Sequence, residues 1–353
     1  MSVIIFLIIL SALVIVHEFG HWTAAKYFGI RVDEFGLGYP PRAKKLFRWK
    51  ETDWTLNWLP FGGFVKIYGE NPTEDEGVSP DNFQSKNRGI QAGVLVAGVF
   101  FNFLFAWLLI SIGLSTGLPA PAGLGLPVEN EQTVITTVVP GAPAALAGIK
   151  AGDTITAING EALTPEEASI LIGNSFEPLE FTIQRGDNIS TKTVTPTGDI
   201  LSDRQAIGIS MELIGTVNLS IHKAVFHGLK LTYQLTQATA VALGTFISQA
   251  FVGRADLAAV TGPVGIVGMV GDVTELGFGH LLTFTALISI NLCIINLLPF
   301  PALDGGRLLF VGIEAISRRP IPPRIFNLLN AAGFALLIFL MILITIRDVR
   351  NIF

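Results

Sequence analysis

An uncharged apolar segment leads directly into three side chains that are suited to metal chemistry. Residues 3–16 contain no charged residue, and His-Glu-Phe-Gly-His follows at positions 17–21. On a helix, His17 and His21 lie one turn apart on the same face, with Glu18 beside them. Two imidazoles that bind zinc and a carboxylate that activates water form the zinc-protease pattern. Polar groups are costly in a bilayer, so the motif favours proteolysis at membrane depth.

Three further segments are long and apolar enough to cross a bilayer. Half of the 353 residues are hydrophobic and 14% are charged, a charged fraction well below that of soluble domains. Since a span needs about 20 residues, we predict four spans, at about 3–24, 90–113, 281–300 and 325–346. A cleaved signal peptide is the alternative for the first span, but that segment lacks a basic N-terminal region. Cys293 is the only cysteine, which excludes an internal disulfide.

The basic residues predict how these spans are oriented. Lys and Arg are concentrated in the loops 25–89 and 301–324, whereas the long segment 114–280 is poor in them and richer in acids. The positive-inside rule therefore places both basic loops in the cytoplasm, and 114–280 and both termini outside. We predict a multi-pass protein of the cytoplasmic (inner) membrane with the histidine motif near the cytoplasmic side.

A carboxylate that would complete the metal site appears at the end of the third span. Asp304 lies where two prolines and two glycines break the helix, on the same side of the membrane and at the same depth as His17 and His21. A third protein ligand leaves the fourth position of zinc open for water. The alternative is an Asp that caps a helix at the membrane exit. The matched depth favours the ligand.

Two motifs of the chain resemble those of the site-2 protease family of intramembrane zinc metalloproteases. They are His17-Glu18-x-x-His21 and Asn296-x-x-Pro299-x-Pro301-x-Leu303-Asp304-Gly305. The chain is most similar to bacterial members that act in regulated intramembrane proteolysis and carry one inserted PDZ domain. The resemblance implies zinc on His17, His21 and Asp304. It also implies that Glu18 is the general base and that Asn296 helps to hold the substrate backbone.

A third element of the family lies in the second span, with one departure. Relatives have Gly-Pro-x-x-Asn there, and this chain has Gly98 and Asn102 at the same spacing with Val99 in place of the proline. The resemblance implies a substrate-binding role for Asn102. Arg307 occupies a position where relatives often have His, and the sequence assigns no function to this difference.

The cytoplasmic loop carries a predicted β-hairpin. Apolar and polar residues roughly alternate in 54–68 on both sides of Pro60–Gly63, and the aromatic residues place the hairpin at the membrane interface. An edge strand there would pair with an unwound substrate, which makes Phe61, Gly62 and Gly63 candidate substrate-binding residues. A packed surface hairpin without a substrate role is the alternative. Residues 70–88 are predicted to be a polar loop.

Residues 125–213 form the one soluble-looking block. The string Gly148-x-x-x-Gly152-Asp153-x-Ile155-x-x-Ile158-Asn159-Gly160 resembles a PDZ domain, and its Asn-Gly pair predicts a hairpin turn. Such domains bind extended segments by strand addition. The domain would either capture the external part of a substrate or exclude bulky substrates, and the sequence leaves both open.

The predicted architecture is a polytopic α-helical membrane protein of about four spans, with an inserted extracytoplasmic PDZ domain and a cytoplasmic membrane-associated β-hairpin. Its regions are an N-terminal membrane core at 1–113, the PDZ domain at 125–213, an interfacial region at 218–280 and a C-terminal membrane core at 281–353. Residues 218–250 predict an amphipathic helix on the outer membrane face, with a fifth span as the alternative.

The predicted function is zinc-dependent cleavage of single-span membrane proteins within the lipid bilayer, with no nucleic-acid partner. Anti-sigma factors and remnant signal peptides are the substrate types that the resemblance implies. One alternative is a catalytically silent PDZ-bearing membrane scaffold, which would have no need of Glu18. A metal transporter is a second alternative, but it would need a polar path across the bilayer, and the ionisable residues cluster at one end.

Overall fold

The computed structural model of the chain describes residues 1–70, 79–186, 188–200, 204–254 and 260–352. The helices in these ranges are α1 (Ser2–Tyr27), α2 (Arg88–Thr116), α3 (Pro143–Leu146), α4 (Pro165–Asn174), α5 (Ile221–Phe251), α6 (Pro263–Glu275), α7 (Phe278–Asn296), α8 (Asp304–Ser317) and α9 (Pro323–Ile352). The strands are β1 (Val32–Trp49), β2 (Thr52–Ile67), β3 (Leu118–Pro121), β4 (Glu129–Val138), β5 (Thr154–Ile158), β6 (Leu179–Arg185), β7 (Asn188–Val194) and β8 (Ile209–Val217).

Four helices of the described ranges are long and apolar enough to cross a membrane. They are α1, α2, α7 and α9, with mean hydropathies of 2.6, 2.3, 1.9 and 2.5. They overlap the four segments that the sequence predicts as spans. α7 ends at Asn296, before the predicted limit of 300, because Pro299 and Pro301 interrupt the helical backbone. α2 and α9 extend beyond the predicted limits because polar and basic residues at their ends continue the helical backbone. α5, the predicted amphipathic helix, is long enough to cross a membrane at 31 residues, but it is not among the helices that are apolar enough.

The described residues form two compact units. The first comprises residues 1–111, 225–274 and 282–353, and the second comprises residues 112–224 and 275–281. The second unit is larger than the predicted domain at 125–213 because β3, which precedes that range, pairs along its whole length with β8.

The second unit is built on a six-stranded antiparallel sheet in the order β3-β8-β4-β5-β6-β7. Its core packs apolar strand residues, among them Ile135, Ile158 and Phe181, against α3 and α4. The predicted Asn159-Gly160 turn follows β5, and both residues have the positive φ that a tight hairpin turn requires, 51° and 83°.

The sheet of the first unit differs from the predicted hairpin. β1 and β2 pair with each other and join through the turn at Lys50 and Glu51. Residues 35–37 of β1 pair with residues 63–65 on one side and with residues 54–56 on the other. The two halves of the predicted hairpin are therefore not neighbours. β1 separates them because its residues Val32 and Phe35 are themselves apolar and fully buried.

Candidate metal centre

α1 and α8 bring two imidazoles and one carboxylate to a single point. The Nε2 atoms of His17 and His21 lie 3.1 Å apart on one face of α1. Oδ2 of Asp304 lies 3.0 Å from Nε2 of His17 and 3.3 Å from Nε2 of His21. Ligand atoms of the three residues all lie within 4.8 Å of one another. Both histidines are buried, and Asp304 is half-buried.

Two glycines allow the chain to turn sharply before Asp304. α7 ends at Asn296, and α8 begins at Asp304. A Cβ on Gly305 would lie 2.2 Å from the carbonyl oxygen of Leu298, and a Cβ on Gly306 would lie 2.2 Å from that of Phe300. The first turn of α8 therefore packs directly on the connecting backbone, and this packing directs Asp304 towards α1.

Each imidazole makes a second contact through its other ring nitrogen. Nδ1 of His21 lies 2.8 Å from the backbone oxygen of Val94, which can only accept a hydrogen bond. Nδ1 of His21 therefore carries a hydrogen, and in the neutral ring Nε2 is the nitrogen that is available to a metal. Nδ1 of His17 lies 3.2 Å from the side-chain amide of Asn102 in α2.

The chemistry of these donors fits a zinc ion. Oδ2 of Asp304 is a buried atom without a hydrogen-bond partner among the described residues, and two imidazole nitrogens face it. Tetrahedral ligands about 2.0–2.1 Å from zinc are about 3.3 Å apart. The separations of 3.0–3.3 Å among these three atoms match that value. Three acceptors at this spacing repel one another unless a proton or a cation lies between them.

The other predicted site residues lie at different distances from this cluster. Glu18 is half-buried on α1, next to His17, and Asn102 contacts His17 directly. Asn296 is the last residue of α7, and no described hydrogen bond joins it to the three-residue cluster. Gly62 bends β2 at φ 72°.

The predicted hairpin and loop are described only in part. A Cβ on Gly63 would lie within 3.9 Å of Val14 and Ile15 of α1, so β2 passes close to the helix that carries the motif. The side chain of Phe61 and all of residues 71–78, which belong to the predicted polar loop, lie outside the described residues.

Two residues that matter for this geometry were missed as site residues in the sequence. Gly98 belongs to the Gly-x-x-x-Asn element, and its spacing to Asn102 was the available signal. Val94 contributes only a backbone oxygen, for which a sequence gives no signal.

Two imidazoles and a glutamate lie on α1, a helix apolar enough to span a membrane, and α8 adds a carboxylate. This set of residues is the one expected of a membrane metalloprotease. The profile of peptidase family M50 matches residues 5–340. The chain belongs to this family, the site-2 proteases, and is a metalloprotease. The family resemblance found in the sequence is thereby confirmed.

Similar proteins match along nearly their whole length. A Clostridium perfringens protein with zinc metalloprotease in its name is 37% identical over 357 residues, which cover 99% of this chain and 98% of the relative. Zinc metalloprotease RasP of Geobacillus kaustophilus is 30% identical over 434 residues, covering 100% of this chain and 98% of the relative. Among solved structures, the PDZ domain of an SdrC-like protein from Listeria monocytogenes is 24% identical, covers 24% of this chain and 93% of its own, and has a TM-score of 0.22.

Proposed function

We propose that this protein is a zinc-dependent intramembrane endopeptidase that cleaves single membrane-spanning segments. One observation carries the proposal. His17, His21 and Asp304 converge within 4.8 Å, although 282 residues lie between His21 and Asp304 in the sequence. Glu18 lies beside them on α1. Zinc is the expected metal because the donor set suits it and both relatives described above have it in their names.

In this proposal His17, His21 and Asp304 hold the metal, and Glu18 moves the proton. Zinc, when bound, supplies a Lewis acid that polarises the scissile carbonyl and activates water. Glu18 accepts the proton of the attacking water and then donates it to the leaving nitrogen. Removing such a general base typically lowers the rate by about 10²- to 10⁴-fold.

The substrate in this proposal is a transmembrane segment that unwinds locally, because a helical peptide bond is protected by its own hydrogen bonds. The β2 segment 63–67 supports this. Within the described ranges its strand partner is β1, and Gly63 lies against α1 one turn before the motif. The edge of this segment opposite β1 would bind the unwound segment by strand addition. Asn296 would help to hold the substrate backbone.

The setting of the reaction is part of the same proposal. The protein lies in the cytoplasmic membrane, with the metal site near the cytoplasmic side and the sheet domain of the second unit outside. Substrates of the anti-sigma factor or remnant signal peptide type fit this arrangement.

Deleting 125–213 tests the role of that domain. Capture predicts slower cleavage of substrates with short external parts, whereas size exclusion predicts new cleavage of bulky ones.

The deciding experiment compares Glu18→Gln with the wild type in lipid vesicles that contain a single-span reporter. We expect the variant to keep its zinc and to lose at least 10²-fold in kcat. Glu166→Gln, which changes an exposed glutamate in the first turn of α4, is the matched control and should cleave normally. A wild-type protein without zinc that cleaves no membrane reporter would refute the proposal and favour the scaffold. Undiminished cleavage by Glu18→Gln would refute the role of Glu18.

A further inference from the structure

The two imidazoles of the candidate metal centre differ in how their outer nitrogens are held. A histidine that binds a metal through Nε2 carries its hydrogen on Nδ1, and a hydrogen-bond acceptor normally fixes that tautomer and the ring orientation. The backbone oxygen of Val94 is this acceptor for His21, at 2.8 Å. His17 needs an equivalent partner if it is to bind zinc as proposed above.

Asn102 occupies the position of that partner. Its side-chain amide lies 3.2 Å from Nδ1 of His17, and no other described hydrogen bond reaches this nitrogen. The amide nitrogen is placed towards the ring, whereas Oδ1 is a buried atom with no hydrogen-bond partner. The oxygen and nitrogen of an Asn side chain are nearly indistinguishable by size. The hydrogen-bond network therefore decides which of the two atoms faces His17.

The chemistry of the metal ligand selects the reversed orientation. With the amide nitrogen towards Nδ1, His17 would have to accept there and would carry its hydrogen on Nε2, which excludes metal binding at Nε2. With the oxygen towards Nδ1, His17 donates to Asn102, and the buried oxygen gains the partner that it lacks. Rotating the amide by half a turn therefore leaves Nε2 of His17 without a hydrogen and gives Oδ1 of Asn102 a hydrogen-bond donor.

The surroundings hold Asn102 in place and keep it away from substrate. Asn102 and Ser289 of α7 are both 0% exposed. The hydroxyl of Ser289 donates to the backbone oxygen of Asn102 at 2.8 Å. This bond fixes α2 against α7 at the level of His17. A fully buried amide cannot contact a substrate backbone, so the geometry favours a role towards the metal ligand.

We propose that Asn102 is a positioning residue for His17, whose Nδ1–H it accepts through its amide oxygen, and that Ser289 fixes it there. The proposal rests on the proposed function, because it assumes that His17 binds a metal. It replaces the substrate-binding role that the family resemblance implies for Asn102. It also explains why an amide is found in α2 at a position that is fully buried.

The test measures zinc affinity of the full-length protein in detergent, by competition with a chromophoric chelator. Asn102→Leu keeps the approximate volume and removes the acceptor, so zinc should bind about 10- to 100-fold more weakly. Asn102→Asp offers acceptor oxygens only and should bind zinc within a few-fold of the wild type. Asn102→Asp binding as weakly as Asn102→Leu would overturn the proposal, and so would Asn102→Leu binding like the wild type.

Two further variants separate positioning from general damage to α2. Ser289→Ala retains the Asn102 amide but removes the hydrogen bond that holds its backbone, and it should weaken zinc binding by a smaller factor than Asn102→Leu does. Ser111→Ala removes a hydroxyl that bonds only within α2, to the oxygen of Trp107, and is the matched control. If Asn102→Leu does not fold, Asn102→Asp still decides, because a loss of tenfold or more in zinc affinity contradicts an acceptor role.

The kinetics distinguish this role from substrate binding. Saturating zinc should restore most of kcat to Asn102→Leu with KM unchanged, whereas a substrate-binding residue would raise KM at every zinc concentration. The two proposals can be refuted independently. A wild-type protein that binds no zinc would refute the proposed function. If the wild type binds zinc and is active, and Asn102→Leu behaves like it, only the proposed role of Asn102 is refuted.

Discussion

Gly98 of α2 faces His21 of α1 with no space between them for a side chain. A Cβ on Gly98 would lie 2.3 Å from Nε2 of His21 and 2.8 Å from Cε1 of His17. On the other side of the crossing, a Cβ on Gly20 would lie 2.4 Å from the backbone oxygen of Ala97. Small residues let two membrane helices approach backbone to backbone. The crossing of α1 and α2 therefore sets the position of both imidazoles.

Gly98→Ala should weaken metal binding strongly without preventing insertion of the protein into the membrane. The added methyl group would overlap the nitrogen that faces Asp304, so α1 must move or His21 must turn away. We expect zinc affinity to fall by about 100-fold, the upper end of the effect seen when the surroundings of metal ligands are disturbed. The zinc content of the purified variant, compared with that of the wild type, measures this loss.

Gly312→Ala is the matched control for this change. Gly312 lies in α8, and a Cβ there meets nothing within 4 Å. Ala should be neutral or slightly stabilising there, by about 0.5–1 kcal/mol, because it lowers the entropy of the unfolded chain. Normal zinc content in Gly98→Ala would show that the helix crossing does not constrain the ligands.

Removing the metal should destabilise the first unit. A ligand that binds only the folded state adds about 2.7 kcal/mol when its concentration is 100 times its Kd. Chelation should therefore lower the thermal midpoint of the wild type. Asp304→Asn removes the negative charge and keeps the shape of the side chain. Without chelator, its thermal midpoint should already be as low as that of the chelated wild type, and chelator should not lower it further. An equal response of both proteins would contradict a ligand role for Asp304.

Glu70 and Arg307 form an ion pair that links the end of β2 to α8. Nη1 of Arg307 contacts Oε1 of Glu70, and their side chains are 24% and 15% exposed. Arg307 lies one turn after Asp304, and Glu70 follows β2 by three residues. The pair therefore connects the end of β2 to the helix that carries Asp304.

A double-mutant cycle tests how much this ion pair contributes. Arg307→Met leaves a mostly buried carboxylate without its partner and should cost about 2–3 kcal/mol, less than for a fully buried pair because Arg307 is partly solvated. Glu70→Gln combined with Arg307→Met should recover part of that loss. Arg48→Met breaks an exposed contact of 3.7 Å with Asp53 and should change stability by no more than about 0.5 kcal/mol. Additive losses in the cycle would show that the pair is not coupled.

The parts of the site that depend on local chain geometry could be predicted from the sequence. His17, Glu18 and His21 lie on one helical turn, so their spacing alone brings them together. Asp304 comes from a different helix, and only the charge distribution of the loops indicated its depth. The contact of Val94 depends on a backbone oxygen and on the tertiary packing of α2, which no side-chain pattern encodes.

The sheet of the first unit shows why strand neighbours were harder to predict. The alternation in 54–68 correctly indicated extended chain, and Gly62 does bend it. Alternation does not specify which strand lies alongside, however, because that depends on non-local pairing. β1 contains Pro40 and Pro41, residues that disfavour central strands, and it was not recognised as the partner.

Asp153 should stabilise the second unit and leave the metal site unaffected. It is 1% exposed and accepts from Nε and Nη2 of Arg185, at 2.6 and 2.8 Å, and from the backbone N–H of Lys150 at 2.8 Å. The hydrogen bond to Asp153 raises the pKa of the Arg185 guanidinium above its ordinary value. In the Gly152-Asp153 pair of the PDZ-like string, Asp153 is therefore a buried carboxylate that Arg185 and the backbone N–H of Lys150 stabilise.

Asp153→Asn removes the charge and at least one of these hydrogen bonds. We expect a loss of about 1–3 kcal/mol, since bonds to a charged group are worth more than neutral ones and Arg185 keeps part of its hydration. Limited proteolysis of the full-length protein should show faster cutting within 112–224, while zinc affinity stays at the wild-type value. Glu166→Gln, on the surface of the same unit, should change neither quantity. Loss of zinc from Asp153→Asn would mean that the sheet domain and the metal site are thermodynamically coupled, which these contacts do not predict.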